Sequence, residues 1–304
     1  MTALNTDAPP DWIAADWGTT HLRLWAMRGG EVALKRSCDQ GMGRLTPAQF
    51  GPVLEAEIAQ FGMDLAGIPV IACGMVGSRQ GWAEAPYRAT PTDPRTKLIQ
   101  VANHAARPVY IACGIRQDAP PDVMRGEETQ IAGLLAQTPD FDGVVCLPGT
   151  HTKWVRLRAD QIERFQSCMT GELFELLAKQ SVLRHTLDTD GLDLAAFDAA
   201  CAEALADPAR AYGGLFQLRA AALLDNLDPT SAGSRLSGLL IGWELAAVRD
   251  LWAGRTVALI GSPKLAALYG RVLGANGVAT QDYPTEPITL AGLHAAWQTI
   301  GACS

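Results

Sequence analysis

Neither of the glycine-rich loops that most often cradle nucleotides is present. There is no Gly-x-x-x-x-Gly-Lys-Ser/Thr, which excludes a P-loop, and no Gly-x-Gly-x-x-Gly opens a helix after a strand. The seven cysteines (Cys38, Cys73, Cys113, Cys146, Cys168, Cys201, Cys303) contain no Cys-x-x-Cys pair and mostly sit in apolar runs. They read as buried free thiols in a reducing cytoplasm rather than as a disulfide frame. The five histidines have no metal-ligand spacing. No uncharged apolar stretch is long enough for a membrane span, since even residues 236–245 are broken by Glu244. No Lys/Arg stripe is visible and the net charge is −7, which argues against a nucleic-acid partner. The stretch 1–11 is short, polar and acidic, unlike a secretory signal. What remains is an acidic globular chain of 304 residues, 48% hydrophobic and 19% charged, with room for two cores.

The rest of the chain is organised around residues 12–25, Trp-Ile-Ala-Ala-Asp-Trp-Gly-Thr-Thr-His-Leu-Arg-Leu-Trp. Two apolar β-forming runs flank a Gly-Thr-Thr turn, the pattern of a hairpin. An acid at the end of a buried strand is costly unless it has a task. Gly18, Thr19 and Thr20 would aim backbone N–H groups and two hydroxyls at one point, with Asp16 holding a hydrated Mg²⁺ beside them. An ordinary hairpin with a turn-forming aspartate is the simpler alternative.

A second copy of the turn favours the first reading. Residues 143–157 read Gly-Val-Val-Cys-Leu-Pro-Gly-Thr-His-Thr-Lys-Trp-Val-Arg-Leu, so Gly149-Thr150-His151-Thr152 echoes Gly18-Thr19-Thr20-His21. Duplication suggests two similar halves with a nucleotide gripped in the cleft between them. Between the copies, residues 69–73 form a short strand entering the loop Gly74-Met75-Val76-Gly77-Ser78-Arg79-Gln80-Gly81-Trp82, where the backbone can approach a ligand closely. Residues 85–96, rich in Pro and Thr, read as ordered loop, and residues 117–125, with Pro120 and Pro121, as the linker. Glu127 and Glu128 follow Gly126 at the start of an apolar-periodic helix, where the helix dipole favours negative charge. Thr170 is a plausible N-cap. A strand over 256–260 runs into Gly261-Ser262-Pro263 and a helix, and residues 292–300 form a last amphipathic helix.

Asp16-Trp17-Gly18-Thr19-Thr20, the turn Pro148-Gly149-Thr150-His151-Thr152-Lys153-Trp154, and the strand-Gly261-Ser262-helix unit resemble the two phosphate motifs and the adenosine motif of the sugar kinase, Hsp70 and actin superfamily. More narrowly, residues 74–82, Met124-Arg125-Gly126-Glu127-Glu128-Thr129-Gln130, residues 147–154, Met169-Thr170-Gly171-Glu172-Leu173-Phe174 and residues 236–242 resemble the 2-keto-3-deoxygalactonate kinase family, in order along nearly the whole chain. The resemblance implies an α/β fold of two ribonuclease H-like domains of the actin-like ATPase type, facing a nucleotide cleft. Residues 1–125 would form the substrate and Mg/phosphate side and residues 126–304 the nucleotide side, with the last helix, about 290–301, packing back on the first domain. It implies ATP-dependent phosphorylation of the C6 hydroxyl of 2-dehydro-3-deoxy-D-galactonate, with ATP and Mg²⁺, by a cytoplasmic monomer or homodimer. A kinase for another sugar or sugar acid on the same scaffold, or a catalytically idle nucleotide-binding regulator, is the alternative. Asp16 and the Glu127-Glu128 pair speak against the regulator.

On this resemblance Asp16 takes the Mg²⁺ site through water. Gly18, Thr19, Thr20 and Gly149, Thr150, His151, Thr152 clamp the β- and γ-phosphates. Lys153 adds a charge, although a strand lysine usually faces solvent. Glu128 is the first choice for general base and Glu127 the second; the simpler alternative is that both only cap a helix. The substrate carboxylate calls for a bidentate arginine, Arg79 on the glycine loop being favoured over Arg44 and Arg125. Gly77, Ser78, Gln80 and Trp82 line the substrate pocket, as do Thr170 and Glu172. Gly261 and Ser262 sit under the adenosine, and Gly238 marks a helix crossing near the nucleotide or a close helix contact alone.

Overall fold

A computed structural model describes residues 9–102 and 104–301. The acidic stretch 1–8 and Cys303 therefore lie outside the described residues. The chain separates into two compact units. The first runs to Phe141 and takes in Arg158–Arg164 and the chain from Thr285 onward; the second comprises Asp142–Leu157 and Phe165–Pro284.

Unit 1 contains β1 (Trp12–Trp17), β2 (Leu22–Arg28), β3 (Glu31–Cys38), α1 (Phe50–Ala59), β4 (Val70–Cys73), β5 (Tyr87–Ala89), β6 (Leu98–Gln100), β7 (Val109–Ala112), β8 (Gly114–Asp118), β9 (Pro121–Met124) and α2 (Glu127–Gln137). Its main sheet has the order β3-β2-β1-β4-β7-β6. An antiparallel β1-β2-β3 meander is extended by β4 and β7, both parallel to β1. Strand β1 is apolar almost throughout because both of its faces are covered. Ile13, Ala15 and Trp17 pack with Phe50 and Leu54 of α1, while Trp12 and Ala14 pack against Leu293 and Ala296 near the carboxyl end.

Two expectations are corrected by the small sheet β5-β8-β9. Residues 117–125 are not a linker: Asp118 pairs with Pro121 across a tight hairpin. Pro121 stands at the first strand position, where a missing N–H is tolerated. The expected loop 85–96 likewise contains β5, which runs parallel to β8. Short runs beside prolines carry too little periodicity to be read as strands.

Unit 2 carries β10 (Gly143–Leu147), β11 (Thr152–Arg158), β12 (Gln161–Cys168), α3 (Thr170–Gln180), α4 (Leu194–Ala206), α5 (Pro208–Leu224), α6 (Pro229–Ala247), α7 (Arg249–Trp252), β13 (Val257–Gly261), α8 (Pro263–Ala275) and β14 (Thr280–Pro284). Its sheet order is β12-β11-β10-β13-β14, with β10 antiparallel to β11 and parallel to β13, and β13 parallel to β14. This repeats the order of the first five strands of the unit 1 sheet. The core is built from Val144, Trp154, Phe197, Ile241, Val257 and Leu259.

The last helix, α9 (Thr285–Gly301), belongs to unit 1 and starts earlier than expected. Pro287 lies within its first turn, where proline is compatible with a helix. It packs on α2 through reciprocal glycines: a Cβ on Gly133 would lie 1.9 Å from the Ile288 carbonyl oxygen, and one on Gly292 the same 1.9 Å from that of Thr129. This contact explains why α2 falls in unit 1, so that the division comes at Phe141/Asp142 and not at the expected 125/126. It also holds the helix whose first two residues are Glu127 and Glu128.

Candidate functional site

In unit 1 the pairing of Asp16 with Arg23 and of Trp17 with Leu22 leaves Gly18, Thr19, Thr20 and His21 as the hairpin turn. The Gly18 N–H donates to the His21 carbonyl at 3.0 Å, and the Met42 and Gly43 N–H groups donate to the Gly18 and Thr19 carbonyls at 2.9 Å. A Cβ on Gly41 would sit 2.2 Å from the Thr20 carbonyl carbon, so only glycine admits this contact. The backbone of residues 41–43 thus braces the turn from behind and leaves Thr19 and Thr20 exposed, with Arg44 exposed just beyond.

Behind the turn lies a group of three carboxylates. Asp16 accepts a hydrogen bond from Arg23 Nη1 on Oδ2 at 3.0 Å. Burial raises the Asp16 pKa against the pull of Arg23, and the charge of Glu127 adds to the rise. Gly74 (φ +91°) and Gly126 (φ +105°) pass close to each other here: a Cβ on Gly126 would lie 3.4 Å from Gly74 Cα, and one on Gly74 2.9 Å from the Trp17 carbonyl oxygen and 3.5 Å from Asp16 Oδ1. Both positive φ and close approach require glycine at these two positions. From Gly126 the chain enters α2. Glu127, half-buried, accepts the Arg125 N–H at 3.0 Å, and Glu128, fully buried, accepts the Gly126 N–H at 2.7 Å and the Thr129 hydroxyl at 3.2 Å. Both glutamates turn back onto N–H groups that precede the helix. Burial, and then the charge of Glu127, push the pKa of Glu128 up to about 7, where a carboxylate is suited to taking a proton near neutrality.

Among the described residues no group of three His, Cys, Asp or Glu side chains forms a metal cage. Asp16, with Oδ2 on Arg23 and Oδ1 toward Gly74, instead fits a hydrated Mg²⁺ held by one carboxylate, water and phosphate oxygens.

The glycine loop lies beside this group. Ser78 is buried and its hydroxyl has no partner among the described residues. Gly77 is buried, where a Cβ would meet Ile111 at 2.7 Å and Arg125 Nη1 at 2.9 Å. The other expected substrate contacts have these surroundings. Arg125 donates to the Ala85 carbonyl at 2.7 Å and to the Tyr87 hydroxyl at 3.4 Å, and it lies 4.3 Å over the Tyr87 ring, so its guanidinium is engaged in holding the small sheet. Trp82 is half-buried and packs on the core through Phe50, Trp17 and His104. Arg79 is exposed, 3.4 Å from Glu84, and Gln80 is exposed next to it.

In unit 2 the pairing of Leu147 with Lys153 leaves residues 148–152 as the second turn. Helix α3 starts directly on it: the Glu172 N–H donates to the Thr150 carbonyl at 3.0 Å, and a Cβ on Gly171 would be 2.3 Å from the Gly149 carbonyl oxygen. His151 Nε2 lies 2.5 Å from Glu172 Oε2. Lys153 does not face solvent; it is buried and donates to the His151 carbonyl at 3.2 Å. Thr152 is buried with its hydroxyl 3.3 Å from that of Tyr269. Thr170 is not the N-cap, which is Met169; its hydroxyl donates to Glu244. Glu244, buried in α6, also accepts from Trp154 Nε1 at 2.7 Å and Tyr269 at 3.0 Å. It ties β11, α3 and α8 together, a role sequence reasoning missed. The signal was there, since a lone acid inside an apolar helix must be compensated.

Beside the turn is a cavity of about 230 Å³ with apolar walls, lined by Gly149, Thr170, Gly171, Gly233, Ser237, Leu240, Lys264, Leu265 and Tyr269 among others. Gly238, Gly261 and Ser262 do not line it. Gly238 faces α4, where a Cβ would be 2.3 Å from the Phe197 carbonyl oxygen; Gly261 abuts Pro148; Ser262 caps α8 by accepting the Leu265 N–H at 3.4 Å. Gly238 thus makes a close helix contact. No helix of the described residues is long and apolar enough to cross a membrane.

Comparison with known proteins shows the family of the chain. The chain is 38% identical over 302 residues to a Rhizobium meliloti (strain 1021) protein assigned as the 2-dehydro-3-deoxygalactonokinase DgoK1, covering 95% of this chain and 97% of that one. It is 35% identical over 272 residues to the 2-dehydro-3-deoxygalactonokinase of Escherichia coli (strain K12), covering 88% and 90%. A crystal structure of a Sinorhizobium meliloti protein assigned to the same activity superposes with a TM-score of 0.87 at 37% identity, over 95% of this chain and 96% of that one. The sequence model of the 2-keto-3-deoxy-galactonokinase family matches residues 16–296, and the chain belongs to that family.

Proposed function

We propose that the protein is an ATP-dependent kinase that phosphorylates the C6 hydroxyl of 2-dehydro-3-deoxy-D-galactonate, giving the 6-phosphate, in galactonate breakdown in the cytoplasm. The observation that carries this reading is the carboxylate group Asp16, Glu127 and Glu128 behind a braced Gly-Thr-Thr turn, in a chain of this family. The shared strand order of the two sheets supports two ribonuclease H-like domains of the actin-like ATPase type.

Phosphoryl transfer requires in-line placement of donor and acceptor, neutralisation of phosphate charge and a group that takes the hydroxyl proton. Glu128 is the base. Its carboxylate, held by the Gly126 N–H and the Thr129 hydroxyl, accepts the C6 hydroxyl proton late in the transfer. Glu127 keeps the pKa of Glu128 high. Backbone N–H groups and hydroxyls of Gly18, Thr19 and Thr20 and of Gly149, Thr150, His151 and Thr152 hold the phosphates, with Lys153 behind the second turn. The unit 2 cavity takes the adenosine, whose apolar faces suit its walls. Asp16 would hold Mg²⁺, which when bound supplies charge neutralisation on the transferring phosphoryl group. The buried, partnerless Ser78 hydroxyl reads a substrate hydroxyl; Glu172 and the start of α3 brace the second turn.

An ADP-release assay over a panel of 2-keto-3-deoxy sugar acids tests the reading. Turnover with 2-dehydro-3-deoxygalactonate at the highest kcat/KM is expected. A higher value for another sugar or sugar acid would reassign the substrate, and nucleotide binding without turnover on any of them would make the protein a regulator.

A further inference from the structure

Arg125 is engaged in the small sheet and Arg79 and Arg44 are exposed, whereas Arg88 on β5 has a buried guanidinium edge suited to a carboxylate. Its Nη1 is anchored, donating to the Asp93 carbonyl at 2.8 Å and the Thr92 hydroxyl at 3.2 Å. Its Nε and Nη2 are buried and have no partner among the described residues. Those two nitrogens form the edge of the guanidinium that presents parallel N–H groups, the geometry that matches a carboxylate in bidentate fashion. Thr96, which lines the same groove as Arg88 and Lys97, is also buried with an unpartnered hydroxyl. Buried donors left unmade are costly, and three of them beside one groove point to a ligand that accepts hydrogen bonds.

Arg88 is also joined through the small sheet to the strand that leads into the carboxylate helix. Arg88 pairs with Ile115, and Ile115 with Met124, so the three stand in one row across the small sheet. From Met124 the chain leads through Arg125 and Gly126 to Glu127 and Glu128. Two strand spacings, roughly 10 Å, therefore separate the β5 backbone from that of β9 just ahead of the carboxylate group. The Cys113 thiol feels the charges of Arg88, Arg125, Glu128 and Lys97 together, in keeping with that placement.

We propose that Arg88, with the Thr96 hydroxyl, binds the C1 carboxylate of the sugar acid and makes the enzyme selective for acids over neutral sugars. The proposal rests on the kinase reading above. It makes Arg88 a residue that touches substrate but not the reacting atoms, so its loss acts on KM for the acid.

The experiment measures initial rates of wild type, Arg88→Met, Arg88→Lys and Thr96→Val with 2-dehydro-3-deoxygalactonate and with its neutral methyl ester, at varied ATP. Arg88→Met is expected to raise KM for the acid roughly 30-fold or more, as truncating one member of a buried charge pair does. It should leave KM for ATP within about two-fold and abolish the preference for acid over ester. Arg88→Lys, which keeps the charge but not the fork, should recover only part of the affinity, and Thr96→Val should lose a few-fold. If Arg88→Met keeps the wild-type acid KM and acid preference, the proposal is overturned, and loss of that preference in Arg79→Met or Arg44→Met would move the role there. Should Arg88→Met fail to fold, Arg88→Lys and Thr96→Val decide alone: an unchanged acid-to-ester ratio in both rejects the site. Failure of the kinase reading looks different, because wild type itself would then turn over none of the acids. In that event calorimetric binding of 2-dehydro-3-deoxygalactonate to wild type and to Arg88→Met still tests the carboxylate site.

Discussion

Units 1 and 2 share a strand order, and each buries one glutamate near its glycine-threonine turn, but the two glutamates are held in opposite ways. Glu244 is enclosed by side-chain donors from three elements, Trp154, Tyr269 and Thr170. Glu128 has only local donors, the backbone N–H groups of Gly126 and of Glu128 itself and the neighbouring Thr129 hydroxyl, with the negative Glu127 alongside, and burial brings its pKa to about 7. A carboxylate that satisfies several donors serves as a brace; one that is desolvated next to a like charge is kept ready for a proton. On the proposed reading, the unit 1 glutamate serves the chemistry and the unit 2 glutamate the support.

Breaking the reactive side should have the largest effect. Asp16→Asn is expected to lower kcat by about 10³-fold or more, with the circular-dichroism melting curve near that of wild type. Normal turnover of the purified variant would remove Asp16 from the metal site.

Glu128→Gln should lower kcat by roughly 10²- to 10⁴-fold while leaving KM for ATP unchanged, as loss of a transition-state role requires. Wild-type kcat should rise with pH through about 7 as Glu128 ionises, and the variant should lack that limb. An equal loss in Glu127→Gln, with Glu128→Gln active, would shift the role by one residue. The same change has a stability signature of known sign. Because the folded pKa of Glu128 is raised from 4.5 to about 7, its contribution is full below about pH 4.5 and is lost as pH rises through 7. Wild type should lose on the order of 3 kcal/mol over that window that Glu128→Gln keeps, readable in urea melts at pH 4.5 and 8.

On the supporting side the comparison predicts the reverse. Glu244→Ala leaves the Trp154, Tyr269 and Thr170 donors unmatched and should cost about 3 kcal/mol of stability, lowering the melting temperature by several degrees. Activity per folded molecule should change far less than in Glu128→Gln. A Glu244→Ala enzyme of normal stability would contradict the bracing role.

The smallest effect is expected at Gly238. A Cβ there would press on the Phe197 carbonyl oxygen, so Gly238→Ala should destabilise by about 1–3 kcal/mol and leave KM for ATP within two-fold. A large rise in that KM at unchanged stability would return Gly238 to the nucleotide.

Much of this was legible in the chain itself. The Trp12–Trp25 hairpin and its echo at 143–157 stand out because a buried strand must be apolar and a tight turn needs glycine; those are local constraints, written in neighbouring residues. The pair Glu127-Glu128 at a helix start is local in the same way. The sequence alone did not reveal β5, β8 and β9, three short strands among prolines whose pairing is settled by partners far along the chain. Nor did it separate the arginines. Arg125, Arg79 and Arg88 are equivalent as letters, and only the folded environment gives Arg125 carbonyls and a ring, leaves Arg79 in solvent and buries one edge of Arg88 without a partner. Likewise the pKa of Glu128 and the pairing of Gly133 with Ile288 are set by what surrounds them. Turn geometry and strand pattern depend on bonded neighbours and were fixed by order along the chain. Desolvation, hydrogen-bond satisfaction and helix contact depend on atoms brought together by folding, so tertiary structure alone decided them.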